Sequence, residues 1–288
     1  MQSFNLNQKT RMTTIALFGA GGKAGYRLTE NLMKFDYRVL YLEVSSQAIA
    51  ALARLGLKTT PQGEALQETD VVILAVPDCL IGKVAAEIVP KMRSGSMLIC
   101  LDACAACAGV LPKRKDISYF IVHPCHPPFL NEETDPEARK DLFGGRKAKQ
   151  HIICGLLQGS EEDYARGVGI SRCMYAPVMK AHRLTIEQMP LLEPALAETL
   201  SATCMVTIQE GMQEVIRRGV PKEAAFDFIM GHMNIAIGIA FGLIDDQFSD
   251  GCKLTIERGK RIVFKPDWKK IFEKENVMAE MIAVTSGE

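Results

Sequence analysis

The sequence lacks an excess of either charge: 34 Lys and Arg balance 34 Asp and Glu across 288 residues, and the pI is near 6.9. Without a basic footprint there is no expectation of a nucleic acid or an anionic membrane as partner. No uninterrupted apolar run reaches the roughly 18 residues of a membrane span. The best candidate, "MNIAIGIAFGLI" at 233–244, is too short and fits a buried helix. The opening "MQSFNLNQKTRM" has no apolar core of the signal-peptide kind, so residues 1–12 are expected to be a disordered extension before the first strand. Nine cysteines, an odd number, follow no disulfide-framework spacing and read as reduced thiols of a cytoplasmic protein. Cys104 and Cys107 form a CxxC in "DACAACAG". It has neither a partner pair nor a thioredoxin-like context, and so reads as small residues filling a loop.

With 48% hydrophobic and 24% charged residues, the chain can bury an ordinary core. Two textures divide it. Up to about residue 180, apolar runs at 13–20, 37–44, 70–77, 96–103, 118–124 and 150–157 are strand-like and nearly continuous, as in strands covered on both faces. Helical stretches at 22–34, 46–55 and 80–91 alternate with the early runs. This alternation predicts an α/β fold: an N-terminal Rossmann domain (1–180) with a doubly wound, mostly parallel sheet. Residues 181–288 read instead as an all-helical C-terminal domain for substrate and dimerisation. One helix ends at Gly219, with Pro190 and Pro194 interrupting its start. A second follows Pro221 to about Gly242, and others cover 250–264 and 266–283. Such a domain buries little unless another element or subunit covers it, so a homodimer is expected.

The run "IALFGAGGKAG" carries a glycine turn between strand and helix. Gly19 and Gly21 match the first two glycines of the dinucleotide fingerprint, and Ala24 stands where Gly or Ala is allowed. Gly19 lets the strand turn, and Gly21 lets backbone approach a pyrophosphate. Ala24 and Gly25 let the helix pack closely, and its N-terminus offers N–H groups to the anion. Ala20, Gly22 and Lys23 complete the expected turn. Glu43 follows roughly 20 residues on, where a carboxylate holds ribose hydroxyls and repels a 2′-phosphate, which favours NAD over NADP. Val76, Pro77 and Asp78 end another strand and are expected beside the cofactor. Asp102 ends a further strand and reads either as a crevice acid or as a cap.

The stretch "VHPCHPPFL" leaves its strand at the same crevice edge, beside the expected nicotinamide. His123 and His126, stiffened by Pro124, Pro127 and Pro128, could ligate a metal, move the hydroxyl proton lost on oxidation, or simply bond to backbone. One HxxH without a second pair does not make a zinc site, and Cys125 is expected to be packing. Further on, Glu187 and Glu193 stand at the start of an apolar helix. They could complement its dipole, complete a metal site with His123, or serve as acid or base. His232 and Asn234 fall within another apolar helix and suggest a cleft or satisfied buried bonds.

Together "IALFGAGGKAGYRL", "DVVILAVPD", "IGKVAAEIV", "HPCHPP", "ETDPEARKDLFGG", "AKQHI", "EQMPLLEPALAET", "GHMNI" and "DWKK" span nearly the whole chain. On these segments it resembles the bacterial proteins related to decarboxylating phosphogluconate dehydrogenase, often labelled semialdehyde dehydrogenases. The resemblance implies an NAD-dependent cytoplasmic enzyme that oxidises and rearranges a branched sugar acid, D-apionate, to 3-oxo-isoapionate. It also implies a Rossmann domain, a helical domain and a dimer. The KxxxN lysine pattern of the wider hydroxyacid dehydrogenases is missing after residue 160, so that mechanism is not carried over. A rearrangement of this type generally needs a divalent ion to hold two oxygens. His123 with Glu193 is the candidate metal pair, and His126, Glu187 and His232 are candidates for proton transfer, with Asn234 beside them.

Overall fold

The computed structural model describes residues 11–287; most of the extension expected at 1–12 lies outside them. The first elements are β1 (Thr14–Phe18), α1 (Lys23–Leu32), β2 (Arg38–Leu42), α2 (Ser46–Arg54), α3 (Gln62–Glu68), β3 (Val71–Leu74), α4 (Asp78–Ile88) and β4 (Met97–Cys100). After them come α5 (Cys104–Cys107), β5 (Ser118–His126), α6 (Pro136–Lys140), β6 (Gln150–Gln158), α7 (Glu161–Met174) and β7 (Val178–Arg183). The strands form one seven-stranded sheet in the order β2-β1-β3-β4-β5-β6-β7. It is parallel except where β6 runs antiparallel to β5. The continuous apolar runs arise because both faces are covered. Along β1, Ala16 and Phe18 enter one core with Leu74, Ile81 and Ile121. Ile15 and Leu17 point the other way, among Leu28, Leu32, Phe120 and Ile170, as the period of 2 requires. The strand order reverses at β1, so β1 and β3 open a crevice at their carboxyl ends.

β7 was not expected. Its residues, VMKAHR, are half exposed at the sheet edge and carry no apolar run. The boundary drawn at 180/181 falls inside it, and the compact units divide elsewhere. One unit holds the residues up to Pro128, Glu133–Pro190 and those from Met281 on; the other holds Phe129–Glu132 and Leu191–Glu280.

In the second unit a wound segment, Leu191–Ala202, breaks at Glu193, whose φ of −134° and ψ of 111° precede Pro194. The interruption expected from the prolines therefore occurs at that residue. α8 (Thr203–Arg217), α9 (Lys222–Ala240), α10 (Asp250–Val263) and α11 (Lys274–Ser286) follow, with a short turn of helix at Trp268–Phe272 before α11. The stretch Leu191–Arg217 is long and apolar enough to cross a membrane by length and composition, and 11% of its apolar window is buried. α8 buries none of its residues, and α9 only Ala225 and Gly238. The 233–244 stretch, expected to be buried, instead exposes Ile235, Phe241, Leu243 and Ile244 within one chain, because this unit has no sheet to cover it.

Candidate active site

The glycine turn is defined by what a side chain would strike. Gly19 has φ +72°, and a Cβ there would lie 2.3 Å from the Ala75 carbonyl oxygen. At Gly21 a Cβ would meet the Ala48 oxygen of α2 at 2.3 Å, and at Gly25 the Gly19 oxygen at 2.0 Å. Gly25 is buried and Ala24 exposed, so of the two residues expected to allow the close helix–strand approach it is Gly25 that makes it. Glu43, at the end of β2, binds this turn back on itself. Its Oε2 accepts from Gly21 N at 3.0 Å, while Oε1 accepts from Val44 N at 2.8 Å and Ser45 N at 3.1 Å. A cavity of about 580 Å³ opens here, lined by Gly19, Gly22, Glu43, Val76 and Pro77 among others. Ala20, Gly21, Lys23, Ala24 and Asp78, also expected at the cofactor, lie off that lining; Asp78 begins α4. The opposite wall, Thr59 to Gln62, was missed. It is held by Thr60 N donating to Tyr41 O at 2.8 Å, a long-range bond that a "TTPQ" turn does not announce.

The histidine rim lies at the end of β5, which continues through His126. A register shift between Pro124 and His126 accommodates the proline there. His123 Nδ1 lies 2.9 Å from the Leu101 carbonyl oxygen and 3.5 Å from Asp102 Oδ2. A carbonyl only accepts, so Nδ1 carries the proton in this bond and Nε2 keeps its lone pair. Asp102 acts as a local cap, its Oδ1 accepting from Cys104 N at 2.6 Å at the start of α5, while its Oδ2 faces the imidazole. His126 takes φ +61°, a left-handed conformation that costs a non-glycine residue about 1–2 kcal/mol. Its Nδ1 donates to the Phe143 carbonyl at 2.9 Å, and its ring stands 6.4 Å from that of His123. Cys125 between them is exposed rather than packed, because the strand irregularity turns it out of the core.

The CxxC cysteines are packing, as expected. Burial, reinforced by Asp102, pushes the Cys104 thiol far up, and it pushes Cys107 to about 11, with Asp102 and Glu187 adding to it. The Cys107 thiol donates to Ile186 O at 3.4 Å. This fixes the turn that bears Glu187: Ile186 and Met189 are buried, leaving no room for a Cβ on Gly155 of β6. Glu187 is therefore exposed on a turn and not on a helix. In β7, His182 lies with its ring 5.5 Å from His151; burial, then Lys180 and His151, lowers its pKa.

Glu193, His232 and Asn234 belong to the second unit. His232 and Asn234 are exposed on α9, not enclosed within it. His232 stacks on Phe228 at 3.9 Å and its Nδ1 bonds to the Phe228 carbonyl. Among the described residues no group of three or more His, Cys, Asp or Glu side chains could hold a metal ion. His123 belongs to the first unit and Glu193 to the second.

Two family models divide the sequence between them. Residues 9–133 match the acetohydroxy acid isomeroreductase NADPH-binding domain, and residues 131–285 match the C-terminal region of decarboxylating phosphogluconate dehydrogenase. The chain is 51% identical over 272 residues to the D-apionate oxidoisomerase of Cupriavidus necator, covering 94% of this chain and 99% of that protein. The chain belongs to the D-apionate oxidoisomerase family. The family's Rhizobium rhizogenes member is 50% identical over 275 residues, covering 95% of this chain and all of that one. A crystal structure of a semialdehyde dehydrogenase NAD-binding protein from Cupriavidus necator, in complex with calcium and NAD, superposes with a TM-score of 0.93 at 50% identity. It covers 95% of this chain and 99% of its own. The family fold is thus a Rossmann-like domain followed by helices.

Proposed function

We propose that this chain is an NAD-dependent oxidoreductase that oxidises D-apionate and isomerises it to 3-oxo-isoapionate. The observation that carries this reading is the pairing of a dinucleotide turn, closed by Glu43, with the His123–Asp102 pair at the end of β5. It is supported by relatives, about half identical over nearly their full length, that are named for this reaction. NAD, when bound, accepts the hydride. His123 Nε2 takes the hydroxyl proton, while the Leu101 carbonyl and Asp102 hold the ring. The Asp102 carboxylate faces the charge that develops on the imidazole. His126 supplies a second imidazole for the proton movements of the rearrangement. Incubation with NAD and D-apionate, with NADH followed by absorbance and the product's carbon skeleton by NMR, tests this. Absence of NADH overturns the reading, and an unrearranged skeleton reduces it to a plain sugar-acid dehydrogenase.

The choice of NAD rests on Glu43, although the matched isomeroreductase model is described as NADPH-binding. An acid at the ribose edge repels a 2′-phosphate. Glu43→Ser is expected to move the ratio of kcat/KM for NAD over NADP towards NADP by about tenfold or more, since like-charge juxtaposition costs several kcal/mol. An unchanged ratio assigns the discrimination to other residues.

We further propose a cytoplasmic homodimer, with a second copy covering the apolar residues that α9 and α10 leave exposed, among them Ile235, Leu254 and Ile262. Exposed apolar residues in such number mark an association surface. Ile235→Glu is expected to lower the mass measured by light scattering from that of two chains to that of one. A dimer that tolerates the glutamate refutes this face.

A further inference from the structure

Phe143 has no place in the chemistry so far, yet its surroundings are highly ordered. It lies in "DLFGG", between α6 and β6, and is half exposed, so burial in a core does not explain it. The loop around it is closed by hydrogen bonds. Asp141 Oδ2 accepts from the backbone N–H of Arg146, Lys147 and Ala148 at 3.0–3.2 Å. Gly144 and Gly145 take φ of +70° and +79°, a left-handed pair that lets the loop reverse. α1 grips the same loop: Arg27 donates to Gly144 O at 3.0 Å and Asn31 to Gly145 O at 2.7 Å.

On this support the ring meets two sets of groups. The Arg27 guanidinium carbon lies 4.7 Å from the ring centroid and Lys23 Nζ 5.1 Å, both within cation–π range. The His126 imidazole stands edge-on at 5.7 Å, and its Nδ1 donates to the carbonyl oxygen of the same Phe143. Lys23 is the first residue of α1, directly after the glycine turn. One aromatic residue thus touches both the helix that begins at the dinucleotide turn and the histidine at the end of β5.

We propose that Phe143 is a positioning residue that ties the start of α1 to His126. Its carbonyl fixes the proton on Nδ1 and leaves Nε2 free, while its ring sets the plane of the imidazole and seats Lys23 and Arg27. The proposal rests on the reading that His126 serves the sugar acid. Binding of the dinucleotide turn to its cofactor and placement of the imidazole are then properties of one hydrogen-bonded loop.

The test is Phe143→Leu, which keeps the carbonyl and apolar bulk but removes the aromatic ring, with Phe143→Tyr as the conservative variant. The leucine variant is expected to lose about tenfold or more in kcat with D-apionate through a misplaced imidazole. Its KM for NAD should rise about two- to fivefold, the worth of an exposed cation–π contact. The tyrosine variant restores both. Imidazole NMR signals of His126, assigned with His126→Gln, should lose their ring-current shift in the leucine variant only. That readout needs no substrate, so it separates failure of this link from failure of the D-apionate reading. The proposal is overturned if the leucine variant keeps its kcat, if its loss matches only a fall in folded fraction, or if the His126 signals do not move.

Discussion

Replacing His123 by alanine is expected to lower kcat for D-apionate-dependent NADH formation by about 10²–10⁴-fold, the usual contribution of a positioned general base. The size follows from how tightly this imidazole is defined. Leu101 O at 2.9 Å and Asp102 at 3.5 Å hold Nδ1, so Nε2 is the only ring nitrogen left to take a proton. NAD affinity should stay within about twofold, because His123 is not on the lining of the dinucleotide cavity; calorimetric titration checks this. Asp102→Asn separates orientation from charge. The amide oxygen can still accept from Cys104 N, so the start of α5 survives, while the negative charge behind the imidazole is lost. An intermediate fall in kcat is expected for it. A His123→Ala enzyme within a few-fold of the parent would remove the imidazole from the chemistry and leave His126 as the candidate base.

Where the chemistry was legible and where it was not follows from the range of the interactions. Each strand of the inner sheet shows itself as a short apolar run, because both faces are buried and no polar alternation breaks the signal. β7 is polar and at the edge, and nothing local distinguishes VMKAHR from a loop. Its pairing with β6 supplies the strand. The glycine turn was readable as a motif, but which residue makes the close approach was not. Ala24 and Gly25 are neighbours, and only the helix phase decides that Gly25 faces the Gly19 carbonyl while Ala24 faces solvent. The histidines stood out by their density. Their partners, Leu101 and Asp102 just after β4 and Phe143 from a loop beyond α6, are brought by the sheet order and the chain crossing, which spacing along the sequence does not encode. On α9 the error has the opposite sign. An apolar helix implied burial of His232 and Asn234, but apolar pattern reports only that some surface must cover it, not that the same chain provides it.

Gly25→Val should be the most damaging single change in the dinucleotide half. A Cβ at this position would sit 2.0 Å from the Gly19 oxygen and 2.8 Å from its carbonyl carbon, and both are backbone atoms. The obstacle cannot swing aside as a side chain would. The Gly19 oxygen already accepts from Gly22 N at 3.0 Å, and Gly19 N donates to Leu42 O at 2.9 Å. Relief requires α1 to move off β1, which would also carry Lys23, Arg27 and Asn31 away from their partners. Overpacking of this kind costs about 1–3 kcal/mol, a fall of several degrees in melting temperature for a chain of this size. Because the displaced atoms are those of the turn itself, NAD affinity should fall by more than the stability loss alone would produce. Gly169→Ala provides the opposite expectation in the same α/β unit. It lies in α7, is exposed, and has nothing within 4 Å of its added Cβ, so removing a helical glycine should stabilise by about 0.5–1 kcal/mol. A Gly25→Val protein that melts with the parent and binds NAD equally well would mean that α1 does not rest on β1 through this contact.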